Sequence, residues 1–76
     1  MRPWQTTSRK QIAFWIRDAA MVRWISGGDA NNWRDSRQDD GWTEDDCNVF
    51  LKHFESEINK AEKDLESWID GEANIT

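Results

Sequence analysis

The side chains able to do chemistry crowd into one part of the sequence. Asp29, Asp35, Asp39, Asp40, Glu44, Asp45 and Asp46 are followed closely by the single cysteine, Cys47, and the single histidine, His53. Dense Asp and Asn suggest calcium first. An EF-hand loop needs oxygen ligands at alternating positions, a glycine at the sixth and a glutamate at the twelfth. With Gly41 sixth, the first position is Ser36, the third Gln38 and the twelfth Cys47; with Gly28 sixth, the first is Arg23. Both registers fail. One Cys and one His do not make a zinc site. Cys47 follows Asp45 and Asp46, whose charge opposes thiolate formation, and no base is in evidence to make it a nucleophile. His53 stands four residues before Glu57, and two weak ligands leave it facing solvent on the outer side of a helix. No glycine-rich phosphate loop is present. The residues therefore predict no enzyme, no metal and no cofactor.

A second use of the same acids is recognition. Asp35, Asp39, Asp40, Glu44, Asp45 and Asp46 are flanked by Trp33 and Trp42. Carboxylates around aromatic anchors steer association with a basic surface. The predicted contact set is Trp33, Asp35, Asp39, Asp40, Trp42, Glu44 and Asp45, together with the outer face of the first helix. The plain alternative is a solvated loop followed by acids that favour a helix N-terminus.

The elements that must hold these residues are helical. Cys47, Leu51, Phe54, Ile58, Ala61, Leu65 and Trp68 recur in steps of four and three, a heptad seam with no Pro or Gly inside it. One long helix over about 43–70 is predicted, with Thr43 as N-cap, Asp46 closing a capping box and Gly71 as its stop. A first helix over about 8–26 starts at Ser8 or Thr7 and ends at Gly27-Gly28. Its stripe of Ile12, Trp15, Ile16, Ala19 and Val22 would meet the seam. Phe14, Met21 and Ile25 fall on another face, which requires a third element or exposes a patch. Between the long helices lies either an irregular loop rich in Asn, Asp and Ser or a short helix over about 29–37, capped by Asp29, that would fold by docking Trp33; Asp40-Gly41 reads as a turn. Residues 1–7, with Pro3, form an extended lead-in that Trp4 could pin; 1–6 and 71–76 are predicted to fray. Trp15, Trp24, Trp33 and Trp42 recur every nine residues, but nine residues turn a helix by about 180°, so no common face results.

Charge supports the pairing. The chain has 76 residues and a net charge of −5. Residues 1–28 hold five cations and one acid, whereas residues 29–76 hold five cations and fourteen acids. In a parallel homodimer of the long helix, Glu57 would face Glu62, so its seam favours the more basic first helix. The predicted fold is all-α, a single domain built as an antiparallel helical hairpin or three-helix domain. The pI near 4.7 opposes direct nucleic-acid binding. No apolar run approaches the length of a membrane span, and Arg17 and Asp18 interrupt the only stretch suited to a secretory signal. A lone thiol suits a reducing, cytoplasmic setting.

These features predict a small acidic protein-binding module, an inhibitor or adaptor, with homodimerisation through the second face of helix one as a further contact. In size, acidity and tryptophan content it resembles the small inhibitors that phages and mobile elements direct against host defence systems. That resemblance implies, as its target, a basic nucleic-acid-binding surface. Two other readings are a nucleic-acid-binding regulator using Arg9, Lys10, Arg17 and Arg23, and a peripheral membrane protein using the tryptophan-rich first 25 residues.

Overall fold

The chain folds as an all-α protein. Its structure, a computed structural model, describes the backbone over residues 2–75 and side chains over residues 2–67. A 3₁₀ turn, Pro3–Thr6, precedes four helices: α1 (Arg9–Ile25), α2 (Asn31–Asp39), α3 (Glu44–His53) and α4 (Glu55–Ile75).

Local chemistry sets most of the boundaries. Ser8 Oγ accepts the Gln11 N–H at 3.2 Å and starts α1. Gly27, at φ +75°, ends it in the left-handed conformation that glycine adopts without Cβ strain. At α3, Thr43 Oγ1 accepts the Asp46 N–H at 3.0 Å, and Asp46 Oδ2 accepts the Thr43 N–H at 3.1 Å. This is the predicted capping box. The predicted Asp40-Gly41 turn is also present, with Gly41 at φ +96° and the Trp42 N–H bonded to the Arg37 carbonyl at 3.0 Å. The short helix runs slightly later than the sequence suggests, over Asn31–Asp39, and Asp29 Oδ1 accepts the Asn31 N–H at 2.9 Å just ahead of it.

The single long rod expected over about 43–70 is two helices. Phe54 leaves helical geometry at φ −103°, ψ 21°, although its N–H still reaches the Phe50 carbonyl and Ile58 reaches its own, both at 2.9 Å. Neither Pro nor Gly causes the break. It falls where Phe50 and Phe54, with rings 4.5 Å apart, both turn toward Trp4. The bend lets α3 pack with α2 while α4 packs along α1. Arg23, late in α1, pairs with Asn59 and Glu62, early in α4. Ala13 and Ile16 share a cleft with Ala61 and Leu65, so α1 and α4 run antiparallel as predicted. Gly71 does not stop the last helix, which continues to Ile75; an interior glycine costs only about 1 kcal/mol. Trp68 lies outside the described side chains.

The core is aromatic. Trp33, Cys47, Phe50 and Ile58 are fully enclosed, and Trp4, Trp15 and Trp42 are buried around them. Phe50 stacks on Trp33 at 5.1 Å, and Trp42 meets Trp15 edge to face at 4.9 Å. The lead-in is not extended. Trp4 is buried in this cluster, and Arg2 bonds Asp45 at 2.8 Å and Asp46 at 2.7 Å. These contacts tie residues 2–6 to the core, with Trp4 as the pin.

Candidate interaction surface

The predicted contact residues separate into two groups. Trp33 and Trp42 are not surface anchors; they are 0% and 6% exposed. The Trp33 indole N–H donates to the Trp15 carbonyl at 3.1 Å, so even its polar edge is occupied inside. Their polar sequence neighbours lie on the outer sides of short elements, which disguises the inward-facing ring. Asp35, Asp39, Asp40, Glu44 and Asp45 are exposed as expected. Asp40 pairs with Arg37 at 3.3 Å, and Asp45 with Arg2. Among the described residues, Asp35, Asp39 and Glu44 make no ion pair, leaving their charge directed at solvent.

Two arginines inside this region carry roles that the sequence reading missed. Arg2 clamps the 3₁₀ turn onto the start of α3. Its guanidinium, with the capping Thr43 backbone, holds the Asp46 carboxyl below the usual range. Arg37 is buried, with its guanidinium carbon 5.7 Å from the Trp15 ring centre and 6.0 Å from that of Trp33. Its Nε has no hydrogen-bond partner. The available signal was spacing: Arg37 follows Trp33 by four residues and so shares its helical face.

The potentially reactive groups stay apart. Cys47 is buried, its thiol directed at the Arg34 carbonyl 3.8 Å away. Burial pushes the thiol pKa up, opposing nucleophilic use. His53 is exposed at the end of α3, with Phe54 beside it. Among the described residues, no three His, Cys, Asp or Glu side chains gather as a metal site would require, and no helix is long and apolar enough to cross a membrane.

What the structure does leave open is one side of α1. Phe14 is 59% exposed, Met21 41%, Trp24 39% and Ile25 72%. Phe14, Met21 and Ile25 fall within about 40° on the helix, with Arg17 and Trp24 along one flank and Asp18 along the other. Of the two expected alternatives, a third covering element or an exposed patch, the structure shows the patch. Beside it, α1 and α4 form a cleft of about 680 Å³ walled by Ala13, Ile16, Met21, Ala61 and Leu65. Arg17 and Asp64 add one charge of each sign to its lining. Such a face can exclude water against another surface. No protein-family model matches the chain, and neither does any curated protein or solved structure with which it was compared.

Proposed function

We propose that the chain is a small protein-binding module, an adaptor or inhibitor, with two distinct contact surfaces. One is the outer face of α1. The other is the acidic surface of α2 and the start of α3, where Asp35, Asp39 and Glu44 would steer a basic partner. A nucleic-acid-binding groove is one basic surface of this kind, and a module seated in it would act as an inhibitor.

The observation that supports this reading most is the exposed stripe. Four large apolar side chains stand in water on a helix whose other side already completes the core. Exposed apolar area rimmed by charge marks contact sites in proteins that otherwise bury such groups.

The test compares three baits in lysate of the native host, read by quantitative mass spectrometry. They are the wild-type chain, the double variant Phe14→Glu/Ile25→Glu, and the triple variant Asp35→Lys/Asp39→Lys/Glu44→Lys. Circular dichroism should show the same helicity for all three, since every altered residue is exposed. The expected result is a basic protein held by the wild type, lost from the triple variant and released by salt. Identical captures on all three baits would end the proposal.

A further inference from the structure

We propose that the exposed face of α1 is covered by a second copy of this chain, packed antiparallel through α1 about a two-fold axis near Met21. The proposal rests on the reading of that face as a contact surface and names its occupant.

Register and charge both lead to this arrangement. An antiparallel two-fold pairing brings each flank of the stripe against the same flank of its mate. Centred near Met21, it places the two Met21 side chains together and sets Phe14 of each copy beside Ile25 of the other. Arg17 and Trp24 share a flank and are seven residues apart, so each Arg17 comes over the partner copy's Trp24, a cation–π contact. Among the described residues, Arg17 makes no ion pair in the single chain. The same pairing carries the cationic start of α1, Arg9 and Lys10, to the carboxyl end of the other α1. The helix dipole is negative there, and the exposed Asp29 follows two residues after Gly27. A parallel pairing would instead bring Lys10 against Lys10.

Area sets the strength. The exposed parts of Phe14, Met21, Trp24 and Ile25 come to roughly 400 Å² on ordinary side-chain areas. Two copies with their flanking residues therefore reach about 1,000 Å², the lower end of specific interfaces. Most of the acids responsible for the net charge of −5 sit on α2, α3 and α4, whereas α1 holds Arg9, Lys10, Arg17 and Arg23 against Asp18, so the pairing depends on the antiparallel register that draws those cations to the partner copy's Trp24 and helix end. The dimer is weak and reversible, and it would double the acidic surface available to a basic partner.

Light scattering coupled to size exclusion, on the purified chain between about 1 µM and about 1 mM, reads the association. The mass is expected to rise from 9.0 kDa toward twice that value. Ile25→Glu should hold it at the monomer with unchanged helicity. Single cysteines then read the geometry in a Cys47→Ala background whose helicity has been verified. Met21→Cys should form an intermolecular disulfide on mild oxidation, and Phe14→Cys alone should not. A mixture of Phe14→Cys and Ile25→Cys chains should cross-link to each other. A wild-type chain that stays monomeric throughout, or a Phe14→Cys chain that cross-links to itself as readily as Met21→Cys, overturns the proposal. A monomer whose lysate capture still depends on Phe14 and Ile25 would remove the second copy and leave the binding-module reading standing. A dimer whose captures match on all three baits would do the reverse.

Discussion

Replacing Trp33 separates a core residue from a surface anchor. Trp33 is 0% exposed, stacks on Phe50 at 5.1 Å and meets Trp42 edge to face at 5.7 Å. Trp33→Ala removes the ring from a site closed on every side and leaves the Trp15 carbonyl without the indole N–H. Truncating a buried Trp costs about 3–5 kcal/mol. At ordinary per-residue stability a chain of 76 residues has roughly 4–11 kcal/mol in total. The variant is therefore expected to unfold at a much lower urea concentration, and to be largely unfolded in buffer if the parent lies near the lower bound. Trp33→Phe keeps the stacking surface but loses the donor, for a cost of about 1–3 kcal/mol. Its midpoint should fall between the other two.

Trp24→Ala is the internal control. Trp24 is 39% exposed on α1, so its loss should cost about 1 kcal/mol or less. Urea titrations followed by far-ultraviolet circular dichroism give all four midpoints on one scale. A Trp33→Ala chain that unfolds at the wild-type midpoint would refute the placement of this ring in the core. Trp33 would then return to being an aromatic anchor beside the acids.

Other outcomes follow from single contacts. Thr43→Ala removes the cap of α3 and should lower stability by about 1 kcal/mol in the same titration. Gly41→Ala should cost a similar amount, about 1 kcal/mol, because φ is +96° there while a Cβ would meet no neighbour. The Asp46 carboxyl is held below its usual range, so its contribution is complete above the unfolded value of about 4 and is lost as pH falls through the lower folded value. Asp46→Asn should accordingly show a shallower loss of stability between about pH 5 and pH 2, read by urea midpoints at each pH. Arg37→Met keeps the length packed against Trp15 and Trp33 while removing a buried cation whose Nε is unpartnered. Its midpoint should equal or exceed that of the wild type, whereas Arg37→Ala should fall by about 2 kcal/mol.

What could be read from the sequence is what short-range chemistry decides. Ser8, Thr43 with Asp46, Gly27 and Gly41 each act within three or four residues, and each does what its residue type predicts. The nine-residue tryptophan spacing also behaves as helix geometry requires: Trp15 faces inward on α1 and Trp24 outward. The break at Phe54 was hidden because its cause is tertiary. Residues 47–68 keep an uninterrupted heptad pattern, but Phe50, off the seam, is fully buried and draws the chain toward Trp4 and Trp33. Trp33 and Trp42 were misplaced for a related reason. Polar neighbours report on the average environment of a segment, not on the face that one ring occupies. The Arg2 clamp spans 43 and 44 residues, beyond the reach of any periodicity.

The division of the tryptophans bears on what α1 is for. A chain of this length has little interior, and its single cysteine forms no internal disulfide to supplement it. Trp4, Trp15, Trp33 and Trp42, with Phe50, fill that interior, which leaves Arg37 sandwiched against two of the rings. Phe14, Met21 and Ile25 are therefore not core residues waiting for a better fit, since the bundle closes without them. On the outside they favour aggregation, and Phe14 and Ile25, at 59% and 72% exposed, add little to holding a single copy together. Surface covering that stripe would gain about 25 cal/mol for each Å² of apolar area removed from water. That gain is open to a second copy or another partner, and it is closed to the folded monomer.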